Sequence, residues 1–167
     1  MAKRFGNKKG SIQDIILIIV VLTFFGMVVL VGSKIGTEVN NQIQSNDAVD
    51  ANTKEQSQRT ISNSMGAIDK SFLFLAVFIA MVVLILAALV RVHPIFIPLF
   101  FIGWILLIFL AGIFSNIYQN MAAQTELAGV AAEMGLMTSI LTALPIIIGV
   151  FGIFLMVMMY KLWSAGE

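Results

Sequence analysis

The chain has 167 residues, of which 59% are hydrophobic and 11% charged, and its formal net charge is +1. Soluble domains are about 45–50% apolar and about 25% charged, and a small domain buries only about two-thirds of the surface its unfolded chain exposes. Such a composition excludes an ordinary soluble enzyme and implies an all-α integral membrane protein. With no cysteine and a single histidine, His93, the sequence offers no disulfide, thiolate ligand or multi-histidine metal site. A net charge near zero provides no field to recruit nucleic acid. No cofactor and no catalytic residue is expected.

Residues 1–14 form a basic segment carrying Lys3, Arg4, Lys8 and Lys9 before the first acid, Asp14. Four apolar runs follow, at 15–32, 72–90, 95–114 and 140–160. Each is close to the roughly 20 residues that a helix needs to cross a bilayer core of about 30 Å. None contains Asp, Glu, Lys, Arg or His, which disfavours ion-coupled carriers, proton relays and voltage sensors. The expected fold is four transmembrane helices in two hairpins.

Orientation follows from Lys and Arg beside the spans. The basic N-terminus, Arg91 in the turn 91–94 and Lys161 in the tail 161–167 point both termini and that turn to the cytoplasmic side. The segments 33–71 and 115–139 then lie outside. In the first, Ile35, Val39 and Ile43 recur on one helical face, as do Ile61, Met65 and Ile68. The spacing predicts a helical hairpin stalk with its returning arm capped by Asn52 or Thr53. In the second, Ile117, Met121, Thr125 and Ala128 continue a stripe, with Gly129 or Gly135 at a reversal. Two projecting hairpins would meet as a small external four-helix bundle.

Within the spans, the small pairs Gly32/Gly36 and Ala76/Ala80 can bring helices close. Pro98 falls near the start of its span. Pro145 falls early in the last one, where it either kinks a gate or packs, with Gly149 and Gly152 following. Trp104 sits mid-span, so its indole N–H needs an acceptor. His93 faces headgroups or senses protons.

Lys8-Lys9-Gly10-Ser11-Ile12-Gln13-Asp14, running into the first apolar run, resembles the class III signal peptide of archaeal type IV pilin-like proteins. The resemblance implies cleavage between Gly10 and Ser11, leaving the apolar stretch as a filament-forming helix. The same residues also read as a positive-inside anchor. The stretch Val92–Trp104 gives the remainder a similarity to small multi-span proteins of archaea and archaeal viruses.

Three functions are compatible with these features. The first is a non-enzymatic structural or assembly protein of a virion membrane, cell envelope or pilus-like complex. Its partners would be the lipid bilayer and further copies or other membrane proteins. The second is a channel, holin or small-solute transporter gated near Pro145. The third is a pilin-like subunit cleaved after Gly10.

Overall fold

In a computed structural model the described residues are 12–89 and 96–164, and all regular structure among them is α-helical. The helices are α1 (Ile12–Ser45), α2 (Ala51–Leu89), α3 (Phe96–Ala122), α4 (Ala128–Glu133), α5 (Gly135–Thr142) and α6 (Leu144–Ser164). Lys3, Arg4, Lys8, Lys9, Gly10, Ser11, Arg91 and His93 lie outside the described residues.

Three helices are long and apolar enough to cross a membrane, and the bent pair α5–α6 makes a fourth if counted as one span. Their outward faces are hydrocarbon: Phe24, Phe74, Phe109 and Ile146 are each about two-thirds exposed or more. Continuous exposed apolar surface on this scale is foreign to soluble monomers.

The long helices form a ring. α1 lies between α2 and α3, and α6 closes the circle by packing on α3 and on α2. At one end of the ring the core is filled by Leu30, Met65, Phe72, Tyr118, Met134, Met137 and Leu141. A second cluster of Ile19, Leu107, Ala111 and Leu144 joins α1 to α3 and α6.

α1 and α2 are 34 and 39 residues long, or about 51 and 58 Å at 1.5 Å per residue. Both outrun a bilayer core of about 30 Å. Their far ends form a two-helix stalk held by polar pairs: Gln44 Nε2 donates to the Lys54 carbonyl at 2.7 Å, and Ser57 Oγ donates to Asn40 Oδ1 at 2.9 Å. Ile35 and Val39, expected on one stalk face, do share a face, but it is the outward one, away from α2.

The turn between these helices differs from the expected capping. Asp50, not Asn52 or Thr53, precedes α2 and takes the cap position: its carboxylate accepts the Thr53 backbone N–H at 3.2 Å and the Thr53 hydroxyl. An aspartate here satisfies an orphan donor and complements the helix dipole. The Asn46 side chain accepts the Ala48 N–H, forming an Asx turn.

The second hairpin departs from expectation. α3 ends at Ala122, the chain turns over 123–127, and neither Gly129 nor Gly135 makes the main reversal. The returning arm is broken into α4, α5 and α6, with a 63° bend between the last two. It does not project beside the stalk. Leu127, Val130, Ala131, Met134, Met137 and Leu141 are all buried, because α4 and α5 fold over the end of the ring against α1, α2 and α3. Burying side chains of this size is worth about 1.5–3 kcal/mol each where the alternative is water. Met134 and Met137 also adapt to the irregular gap between three helices.

Candidate functional site

The chemistry-bearing groups gather where the folded-over arm meets the ring. α5 starts without a side-chain cap from its own segment: the preceding residue is Met134. Its first-turn N–H groups are instead taken by Asp69 of α2. One carboxylate oxygen accepts the Met137 N–H at 2.7 Å and the other accepts the Leu136 N–H at 3.2 Å. Asp69 is buried. A buried carboxylate needs charge-assisted partners, and the positive end of a helix supplies them. Asp69 therefore caps a helix three elements further along the chain, which its own sequence surroundings do not announce.

Two more links pin the arm. The Tyr118 hydroxyl lies 3.0 Å from Thr138 Oγ1, which donates to the Ala131 carbonyl at 2.9 Å, so α3, α5 and α4 are stitched in series. Ser115 Oγ donates to the Thr142 carbonyl at 2.7 Å. That carbonyl ends α5 at the break, where the helical ladder can no longer serve it. Among the described residues no buried side-chain nitrogen or oxygen lacks a partner.

Pro145, expected to kink an unbroken span, instead stands at the second position of α6. Its missing N–H falls among the first four, which have no intrahelical acceptor anyway. It also borders a shallow depression lined by Ile108, Gly112 and Asn116 of α3. The interruption is thus a helix boundary, held by Ser115, rather than a kink within one helix. Pro98 likewise falls in the first turn of α3.

Below this plug the helices border a half-open cavity of about 330 Å³. α1 contributes Ile18 and Leu22, and α2 contributes Ala76, Val77, Ala80 and Val83. Phe100 and Trp104 come from α3, and Ile148, Phe151 and Leu155 from α6. The Ala76/Ala80 pair thus borders open volume rather than a tight helix contact. The only polar side-chain group in the lining is the Trp104 indole N–H, which donates to the Ile148 carbonyl at 3.0 Å. The volume is in the range of small-molecule sites, about 300–1,000 Å³. The lining side chains offer water no free hydrogen-bonding group.

Gly152 makes the Trp104 arrangement possible, because a Cβ there would overlap the indole ring at its nitrogen. A Cβ at Gly149 would lie 4.0 Å from Ile108, and one at Gly36 3.5 Å from Ile61, both ordinary contacts. Gly32 meets nothing within 4 Å. Gly26, which no sequence spacing singles out, is the tight approach on α1: a Cβ would overlap Leu141 Cδ1. Lys161 lies in the last turn of α6, where a cation suits the helix C-terminus.

Among the described residues no group of three or more His, Cys, Asp or Glu is placed to share a metal ion. No family model, curated protein or solved structure matches the chain.

Proposed function

We propose that the protein is a multi-pass membrane component of a larger assembly, built to hold a rigid helical stalk at a fixed height above the bilayer. The α1–α2 hairpin carries this reading. Its two helices outrun a bilayer core by about 20 Å or more. Their outer ends are tied to each other by side-chain hydrogen bonds. The interior supports a structural role: it is apolar, and its polar groups are spent in pinning one helix to another. An apolar interior is a barrier to ions, which disfavours a pore through a single copy.

In this reading the basic N-terminus, Arg91 and Lys161 face the cytoplasm or the inside of a virion, and the stalk faces out. The host assembly is a cell envelope, virion membrane or pilus-like complex. Cleavage after Gly10 is compatible with it, because α1 retains its whole apolar length when residues 1–10 are removed.

Native mass spectrometry of the protein extracted with its own lipids tests the proposal. A defined oligomer or a complex with other membrane proteins is the expected result. A protein that stays monomeric and recovers no partner after cross-linking overturns it. Trypsin added to sealed right-side-out vesicles tests the topology: cleavage at Lys54 and Arg59 is expected from outside only.

A further inference from the structure

The outward face of the stalk carries the next step. On α1, Val28, Gly32, Ile35, Val39 and Gln42 recur at spacings of four, three, four and three, the seven-residue period of a paired helix. Every one of them is exposed. Ile35 is 60% and Val39 50% accessible.

Lipid does not account for the upper part of this stripe. Phe25 stacks on Phe72 and Asn40 bonds Ser57, so Gly32 lies level with Met65. Above that height α2 presents Gln58, Arg59, Ser62 and Asn63 outward. The polar boundary is therefore near Gly32, where the apolar run of α1 ends, yet Ile35 and Val39 stand about 5 and 10 Å beyond it. Toward its outer end the stalk pairs polar side chains between its two helices and turns Ile35 and Val39 outward. Gly32 fits the same picture, since nothing in its own chain approaches it and its smallness serves no internal contact.

We infer that this stripe is a self-association seam, which pairs α1 with α1 of a second copy in parallel about an axis normal to the membrane. The inference rests on the assembly reading above and names the partner. The occupant must offer an apolar helix face that continues about 10 Å past the polar boundary. A second copy in the same membrane and orientation presents that face at that height. Segments outside the described residues join at Ile12, Leu89, Phe96 and Ser164, all at the opposite end of the ring. Charge does not oppose the pairing, because Lys34 and Glu38 beside the stripe neutralise each other within the helix at 3.5 Å. A twofold axis makes the contact isologous and closed, with Gly32 meeting Gly32 where the helices come closest.

The absence of cysteine gives a clean test. Single variants Ile35→Cys, Val39→Cys, Lys34→Cys and Asn41→Cys are made in the full chain, and membranes are oxidised before extraction. Disulfides require Cα atoms about 4.4–6.8 Å apart, so Ile35→Cys and Val39→Cys should cross-link several-fold more than Lys34→Cys and Asn41→Cys. In parallel, Val39→Lys should shift the extracted protein toward monomer while leaving its helical circular dichroism unchanged, since Val39 touches solvent in the single copy. Equal cross-linking at all four positions, or a maximum at Asn41→Cys, overturns the seam. An oligomer that persists without cross-links at Ile35→Cys and Val39→Cys also overturns it but leaves the assembly reading standing. A protein that is monomeric and partnerless overturns both.

Discussion

Replacing Asp69 with alanine removes the only side-chain cap of α5. The carboxylate makes two charge-assisted bonds, to the backbone N–H groups of Leu136 and Met137. Hydrogen bonds to a charged group contribute about 1.5–3 kcal/mol each, and a buried donor left bare costs about 1–3 kcal/mol. Loss of both bonds sets a ceiling of about 6 kcal/mol, and part is recovered if the first turn of α5 frays toward water. The expected loss is about 2–4 kcal/mol, above the roughly 0.5–2 kcal/mol of an ordinary exposed cap. Asp69→Asn should fall between, because its amide oxygen keeps one acceptor while its NH₂ faces the other donor. Denaturant unfolding in mild micelles measures the loss, with Asp47→Ala, an exposed acid in the stalk turn, as a control within about 0.5 kcal/mol. Hydrogen exchange should accelerate first at Leu136 and Met137. If Asp69→Ala matches the control in stability and those two amides exchange at the wild-type rate, the cap has no energetic role and the argument fails.

Other perturbations probe the interior and the stalk turn. Gly152→Ala places a methyl against the Trp104 indole and separates it from the Ile148 carbonyl; overpacking and an orphaned N–H together should cost about 2–5 kcal/mol, with a shift of Trp104 fluorescence in a Trp163→Phe background, and unchanged emission would count against it. Ala80→Leu extends into the 330 Å³ cavity and should stabilise by about 0.5–2 kcal/mol, whereas a loss above about 1 kcal/mol would mean the space is already occupied. The Thr53 bonds hold the Asp50 carboxyl below its ordinary range. A depressed carboxylate favours the fold above the unfolded value, about 3.9, and its contribution disappears as pH falls through the lower folded value. Exchange of the Thr53 amide should therefore quicken only in that acid window, and protection that is unchanged at the most acidic pH the fold survives would contradict the cap.

Much of the architecture is legible in the sequence because hydrocarbon runs declare helices that need no partner to be recognised. The apolar stretches beginning at Ile15, Phe72 and Ile95 reappear within α1, α2 and α3. The mid-span position of Trp104 demands an acceptor, and the Ile148 carbonyl supplies it. Periodicity fails where it has to choose a neighbour. Ile35 and Val39 share a face, as their spacing requires, but spacing alone does not say whether that face meets α2 or the outside. Residues 140–160 read as one run because they carry no charge and few polar groups; the boundary at Ala143 depends on Ser115 of another helix. Asp69 looks like one acid among several because its partners lie in a distant helix and are backbone groups, which leave no mark in a sequence. Gly26 is hidden for a similar reason, since the atom it accommodates belongs to Leu141.

The long separation between Asp69 and its partners also orders events in time. Asp69 belongs to the first hairpin, whereas Leu136 and Met137 belong to the last arm. At synthesis rates of about 5–20 residues per second, roughly 3–13 seconds pass between the carboxylate leaving the ribosome and its two donors following it. During that interval the first hairpin holds an unpaired acid at its rim. The closing of α5 over the ring then waits on the last arm, because those two N–H groups belong to Leu136 and Met137.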